Sequence, residues 1–299
     1  MTFLKNAQLP GVLVATALAL GALALPSQGA RADDAGGEAA QRIVAVGGSV
    51  TEIVYALGEE DRLIARDSTS TFPEEAGQLP DVGYMRALSP EGVMSVNPDL
   101  ILMLEGSGPE ETVELLHKSG VGVADIPDDH TAAGILEKVR KVGDALGVPE
   151  KAEALTEQLK EELAAAHAAA EGKTEGTRVL FILSTRGGRI LAAGSDTAAD
   201  GILQLAGAEN AVAGFSGYKP LSDEAILSAA PDVVLMMERG GNHGAEDANE
   251  LFAHPALGQT PAGLNRQLIR MPGGYLLGFG PRTAGAIRDL ADRLAEARG

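Results

Sequence analysis

Few residues in this chain are equipped for covalent chemistry. Cysteine is absent from all 299 residues, which excludes thiol nucleophiles, thiolate metal sites and disulfides. A Ser-His-acid triad is the usual alternative, yet no Gly-x-Ser-x-Gly elbow occurs. The five histidines (His117, His130, His167, His243 and His254) show no zinc spacing. His117 and His167 fall in predicted helices as ordinary surface residues. His243, in a Gly-rich stretch, is the one retained as an outside candidate ligand. Gly47-Gly48-Ser49 follows an apolar run but lacks the glycine spacing of a dinucleotide fingerprint and the lysine of a phosphate loop. It reads as a tight strand-to-helix turn. Tryptophan is absent and there are only four tyrosines, so each tyrosine is informative.

Two of those tyrosines sit in a repeated stretch. Residues 83–104 run Gly-Tyr, a short basic link, Leu-Ser-Pro-Glu, a helical turn, Pro-Asp and an apolar strand. Residues 217–237 say the same with Gly-Tyr, Lys-Pro, Leu-Ser-Asp-Glu, Pro-Asp and another apolar strand. An earlier pair, 47–58 and 193–207, matches in outline and keeps the order. This separation is too long for a solenoid. It implies two similar α/β lobes, and a cleft between lobes is a favoured place for a ligand.

The elements that position these residues follow from periodicity. Strands are predicted at 42–46, 63–66, 99–104 and 121–126, with helices at 49–57, from Pro90, at 109–119 and at 131–146. Ser49 and Glu52 have the spacing of a capping box. Residues 149–171 form the longest predicted helix, with Ala152, Leu155, Leu159, Leu163, Ala166 and Ala170 on one stripe. It lies between the two copies of the repeat and is expected to cross from lobe to lobe. The second lobe has strands at 178–183, 189–192, 232–237 and 267–270, and helices at 197–205, 222–229 and 282–297. The fold class is therefore α/β: two similar lobes with mainly parallel central sheets, joined by one long crossing helix. The expected divisions are a leader at 1–32, an N-terminal lobe at 33–148, a linking helix at 149–172 and a C-terminal lobe at 173–299.

The leader has a basic Lys5, an apolar run from Val12 to Leu25 and a small-x-small site at Ala30-Arg31-Ala32, the pattern of a secretory signal peptide cleaved after Ala32. The apolar run is shorter than the ~20 residues of a spanning helix. Without cysteine there is no lipid-anchor site, so the expected location is the periplasm. The formal charge of −18 becomes two units more negative after cleavage, which argues against nucleic acid or an anionic membrane surface as partner.

The export signal, the doubled Leu-Ser-x-Glu…Pro-Asp pattern and the long helix resemble the periplasmic substrate-binding proteins of ABC importers for cobalamin, siderophores and haem. Gly83-Tyr84-Met85-Arg86-Ala87-Leu88-Ser89 and the 274–283 stretch, Gly-Tyr-Leu-Leu-Gly-Phe-Gly-Pro-Arg-Thr, resemble the haem-binding branch. That resemblance implies a non-enzymatic, monomeric protein that binds ferric haem and passes it to a permease. It makes Tyr84 the axial iron ligand, with Arg86 beside the phenolate or a propionate. Ferric iron is hard, and tyrosinate is a haem ligand. The resemblance also makes Arg186, Arg189 and Arg282 propionate partners, and Tyr218 and Tyr275 possible further contacts. No histidine stands near Leu183-Ser184-Thr185-Arg186, where a second, His-bound haem is expected in some relatives, and this favours one haem. Glu91 and Glu224, in the first turns of their helices, suit the helix dipole; the resemblance adds docking on arginines of the permease dimer. The alternative ligands are cobalamin and a ferric siderophore.

Overall fold

The computed structural model describes residues 39–238 and 248–298. The leader and His243 lie outside the described residues.

The first half is built on apolar runs bounded by glycine. Its elements are β1 (Ile43–Val46), α1 (Gly48–Ala56), β2 (Leu63–Arg66), α2 (Pro90–Met94), β3 (Leu100–Leu104), α3 (Glu110–His117), β4 (Gly122–Ile126), α4 (Ala132–Leu146) and α5 (Pro149–Ala170). The four strands make a parallel sheet in the order β2-β1-β3-β4. Every residue of β1 is fully buried, as expected of a parallel strand covered on both faces. In α4 Ile135, Val139, Val142 and Leu146, at helical spacing, form a buried stripe. Thr131 caps its start by accepting from the Gly134 amide at 3.0 Å. Gly147, at φ 73°, ends it.

The second half comprises β5 (Arg178–Ser184), β6 (Leu191–Ala193), α6 (Ala198–Leu205), β7 (Glu209–Asn210), β8 (Tyr218–Pro220), α7 (Asp223–Ala229), β9 (Val233–Glu238), α8 (Ala248–Phe252), α9 (Pro261–Leu264), β10 (Leu268–Pro272), α10 (Gly273–Leu277) and α11 (Thr283–Arg298). The sheet runs β10-β9-β5-β6-β8, with β7 also on β5. It is mixed: β6 is antiparallel to β5 and to β8. The link from β5 to β6 is a tight turn through Gly187 and Gly188, at φ 69° and 71°. So short a link permits a hairpin but no parallel crossover.

Helix α5 packs against α4 and α11. Its Ala152 and Leu159 join the core around the first sheet, and its Leu163, Ala166 and Ala170 join the core around the second. Leu155, predicted on the same stripe, is partly buried, and Thr156 is buried beside it.

Candidate functional site

The loop after β2 is held by backbone and carboxylate contacts that decide which side chains face outward. Asp67 is fully buried. It accepts from the amides of Gly47 (3.0 Å) and Thr69 (3.0 Å) and from the Ser70 hydroxyl (2.8 Å). Arg66 bonds Asp81 at 2.6 Å, the Val82 amide donates to the Arg66 carbonyl, and Ser68 donates to the Gly83 carbonyl. The Gly108 amide donates to the Met85 carbonyl, and Leu88 donates back to Gly108. Val82, Met85 and Leu88 thereby enter the first core. Tyr84 and Arg86, between them, are left exposed, Tyr84 at 47%. Among the described residues the Arg86 guanidinium has no ion pair.

From the second half, Tyr218 opens edge strand β8 opposite Ala193. Its phenol pKa is pushed up by burial. The nearby Arg86 charge and a hydrogen bond with Thr197 act in the lowering direction. Arg86 and Tyr218, from different halves, therefore lie near enough for the guanidinium charge to bear on the phenol.

The halves are joined by one ion pair and by a buried ammonium of the first half that donates to a carbonyl of the second. Arg282 makes a bidentate pair with Glu52, its Nε at 2.9 Å from Oε2. The Arg282 guanidinium also lies 3.8 Å from the Phe72 ring centroid and 5.3 Å from that of Tyr275. Burial raises the Glu52 carboxyl pKa, while Arg282 and Lys138 act to lower it. Lys138 has no solvent exposure. Its ammonium donates to Asp128 at 2.6 Å, to the Phe279 carbonyl at 3.2 Å and to Ser49 Oγ at 3.4 Å. Burial tends to raise the Asp128 pKa, but bonding to His130 and the Lys138 charge bring it below its ordinary value. The His130 ring lies 5.0 Å from that of Phe279. Close approach here needs glycine: a Cβ on Gly201 would sit 2.4 Å from the His130 carbonyl, and one on Gly280 would sit 3.2 Å from Ser49 Cβ.

The expected capping box is therefore absent. Helix α1 starts from Gly47 with no side-chain cap. Glu52 is drawn to Arg282 and the Ser49 hydroxyl to Lys138, because each meets a cation there. Arg282, expected as a propionate partner, is already committed to Glu52. Arg186 and Arg189 are exposed on the β5–β6 turn, and among the described residues no contact joins Arg186 to Tyr84 or Arg86. Tyr275 donates its hydroxyl to Asp289 at 2.9 Å, and burial with that carboxylate pushes its phenol pKa up to about 12. Glu91 and Glu224 are both exposed in the first turns of α2 and α7, whose caps are Ser89 and Ser222. His117 pairs with Asp125, and His167 bonds the Leu205 carbonyl. Among the described residues no cluster of three or more His, Cys, Asp or Glu is placed to hold a metal. A separate cavity of about 480 Å³, lined in part by Leu104, Ser107, Ile126, Pro127, Glu137 and Lys141, includes neither Tyr84 nor Arg86. The Lys138 cluster escaped sequence reading. Its one signal was a lysine on the apolar stripe of α4, between Ile135 and Val142.

Comparison with known proteins gives a consistent picture. The model of the periplasmic binding protein family matches residues 43–275. The structure of the periplasmic haem-binding protein BhuT, in complex with two haems, superposes with a TM-score of 0.82 at 38% identity, over 86% of this chain and 99% of that one. A vitamin B12-binding protein of Vibrio parahaemolyticus is 28% identical over 85% of this chain and 90% of its own length. An uncharacterised ABC transporter substrate-binding lipoprotein of Bacillus subtilis, YvrC, is 29% identical over 65% of this chain, which spans 63% of that relative.

Proposed function

This chain belongs to the periplasmic binding protein family, and on that premise we propose that it captures ferric haem between its two halves and delivers it to an inner-membrane ABC importer. The observation that carries the reading is the Tyr84–Arg86 loop. Its backbone is bonded on both sides and its apolar residues are sunk in the core, so a phenol and a guanidinium without an ion pair among the described residues are left exposed side by side in the chain. A phenolate oxygen suits hard Fe(III), and the iron itself favours the ionised form. Arg86 supports that anion by a charge-assisted hydrogen bond or meets a propionate. Arg186, without an ion pair among the described residues, is available to the other propionate. Arg282 would have to leave Glu52 to do so, and in this reading it braces the floor of the cleft. The role is binding and delivery, as for other solute-binding proteins.

The lobes of this reading are residues 33–148 and 173–299, with 149–172 as the linking helix; the packing of α5 into both cores supports it. The leader directs export and is removed after Ala32, so the intact mass of the exported protein should correspond to a chain beginning at Asp33. A membrane-bound product that keeps Met1 would refute this.

Titration with hemin tests the ligand. The wild-type protein should develop a Soret band with tyrosinate charge-transfer absorption. Tyr84→Phe, which keeps the ring and loses only the oxygen, should weaken binding by more than the ~10–100-fold typical of losing a ligand's supporting partner. Wild-type affinity and spectrum in that variant would remove Tyr84 as ligand. The B12-binding relative favours cobalamin as the second reading; under it, or with a ferric siderophore as the ligand, hemin would leave the Soret region unchanged.

A further inference from the structure

The edges of the two sheets are treated unequally. An edge strand carries a row of unpaired amides and carbonyls, which natural proteins cover, shorten or interrupt. Residues 80–82 lie against edge strand β2: Arg66 donates its amide to the Pro80 carbonyl at 2.9 Å and accepts from the Val82 amide at 3.0 Å. In the second sheet the Arg293 side chain donates to the Arg270 carbonyl of edge strand β10 at 2.8 Å. Edge strand β8 has only three residues and ends in Pro220. Strand β4 has five residues and pairs only with β3. Ile126 gives its carbonyl to the Glu105 amide, so its backbone groups face β3. That direction alternates along a strand, so Val123 and Asp125 turn their amides and carbonyls outward. Among the described residues no hydrogen bond reaches those groups. Gly122 and Asp125 are exposed, and Val123 and Ala124 are only partly buried.

The same edge opens onto the cavity of about 480 Å³. Leu104 at the end of β3, Ile126 at the end of β4 and Val113 of α3 give it an apolar lining, and α4 contributes Glu137 and Lys141. Helices α3 and α4 thus flank the edge, with His117 of α3 reaching Asp125 at 3.2 Å. A chain laid along β4 would find room there for an apolar side chain. Around the cavity the exposed Glu105, Asp125 and Glu137 outnumber the exposed Lys141. Glu137 has no ion pair among the described residues. The rim is therefore net acidic, in a chain whose formal charge is −18. That charge selects the occupant. A second copy of this chain would bring the same acidic edge and be repelled, whereas a segment bearing Lys or Arg is attracted.

We propose that β4 is a docking edge for an extended, basic segment of a partner protein. The segment adds a fifth strand to the first sheet, bonding the outward backbone groups of Val123 and Asp125. It seats an apolar side chain in the cavity and sets its cationic side chains against Glu105, Asp125 and Glu137. Backbone pairing supplies affinity, and the cavity with its acidic rim supplies selectivity. Strand β4 is the opposite edge of the sheet from β2, whose following loop carries Tyr84, so this docking does not depend on the haem reading.

The test is titration of the purified protein with a fluorescein-labelled peptide, Lys-Val-Lys-Val-Lys-Val, followed by fluorescence anisotropy. Binding should saturate and should weaken as salt is added, and the Glu-Val-Glu-Val-Glu-Val counterpart should not bind. Methylating alternate backbone nitrogens of the basic peptide blocks one edge of its strand, so one of the two isomers should lose binding and the other keep it. Val123→Pro removes an outward amide and spares the ladder to β3; it should abolish binding. Glu137→Lys should weaken binding several-fold. Both variants should match wild type in hemin titration, which keeps the outcome separate from the haem reading. If Val123→Pro fails to fold, the two methylated isomers still decide. No saturable binding to wild type, equal binding of both isomers, or undiminished binding to Glu137→Lys would each overturn the proposal. So would a doubling of mass without peptide that Val123→Pro reverses, because β4 would then be an edge for self-association.

Discussion

A lysine ammonium with no exposure to water survives only if its neighbours are acceptors, and Lys138 has three: Asp128, Ser49 and the Phe279 carbonyl. Of these only Asp128 carries charge. Asp128→Asn should therefore leave a buried cation uncompensated and cost on the order of 3 kcal/mol at neutral pH, read from urea unfolding. The pH dependence follows from the direction of the shift. Burial raises the Asp128 pKa, but His130 and Lys138 outweigh it and hold the value low. Its stability contribution is present above the ordinary carboxylate value and is lost as pH falls through the depressed one. Wild type and variant should thus converge in acid, and an equal gap at neutral and acidic pH would contradict the assignment. Glu52 runs the other way. Its pKa is raised by burial despite Arg282, so its contribution is complete below the ordinary value and lost as pH rises through the raised one.

At the level of elements, what could be read in advance depended on length and locality. The continuous apolar runs of β1, β3, β5 and β9 and the stripes of α4 and α5 are long enough to show their period, and the structure has them. The edge strands β7 and β8, of two and three residues, and the short helices α8, α9 and α10 carry too few residues to display one. The exposed loop of Tyr84 and Arg86 stood out because its motif is contiguous. The Lys138 cluster did not, because its acceptors lie 10, 89 and 141 residues away. The start of α1 is instructive. Ser49 and Glu52 have capping-box spacing, but two cations from elsewhere in the fold compete for the same side chains and win. A local rule yields when a tertiary partner carries full charge.

On the scale of the whole molecule, the duplicated plan matters for what the protein meets. Exposed Glu91 and Glu224 occupy matching first turns of α2 and α7, and a two-fold permease would offer matching sites. Burial is absent at Glu224, whose carboxyl pKa is lowered by its own backbone amide and the Ser222 hydroxyl; a capping role alone accounts for that. Function separates the two roles. The double variant Glu91→Ala/Glu224→Ala should impair haem uptake in cells while hemin titration of the purified protein stays at wild type. Unchanged uptake would leave the glutamates as caps only.

In the proposed haem reading Arg86 and Arg186 would meet the ligand in a chain whose formal charge is −18. An anionic ligand bearing two propionates is repelled by that charge until it comes within about one Debye length, ~8 Å at physiological salt, and only then feels Arg86. The barrier is long-ranged and the attraction is local, so added salt screens the first more than the second. Stopped-flow association of hemin should accelerate as ionic strength rises, the reverse of an electrostatically steered encounter. An association rate that falls with salt would place the dominant field in the cleft itself.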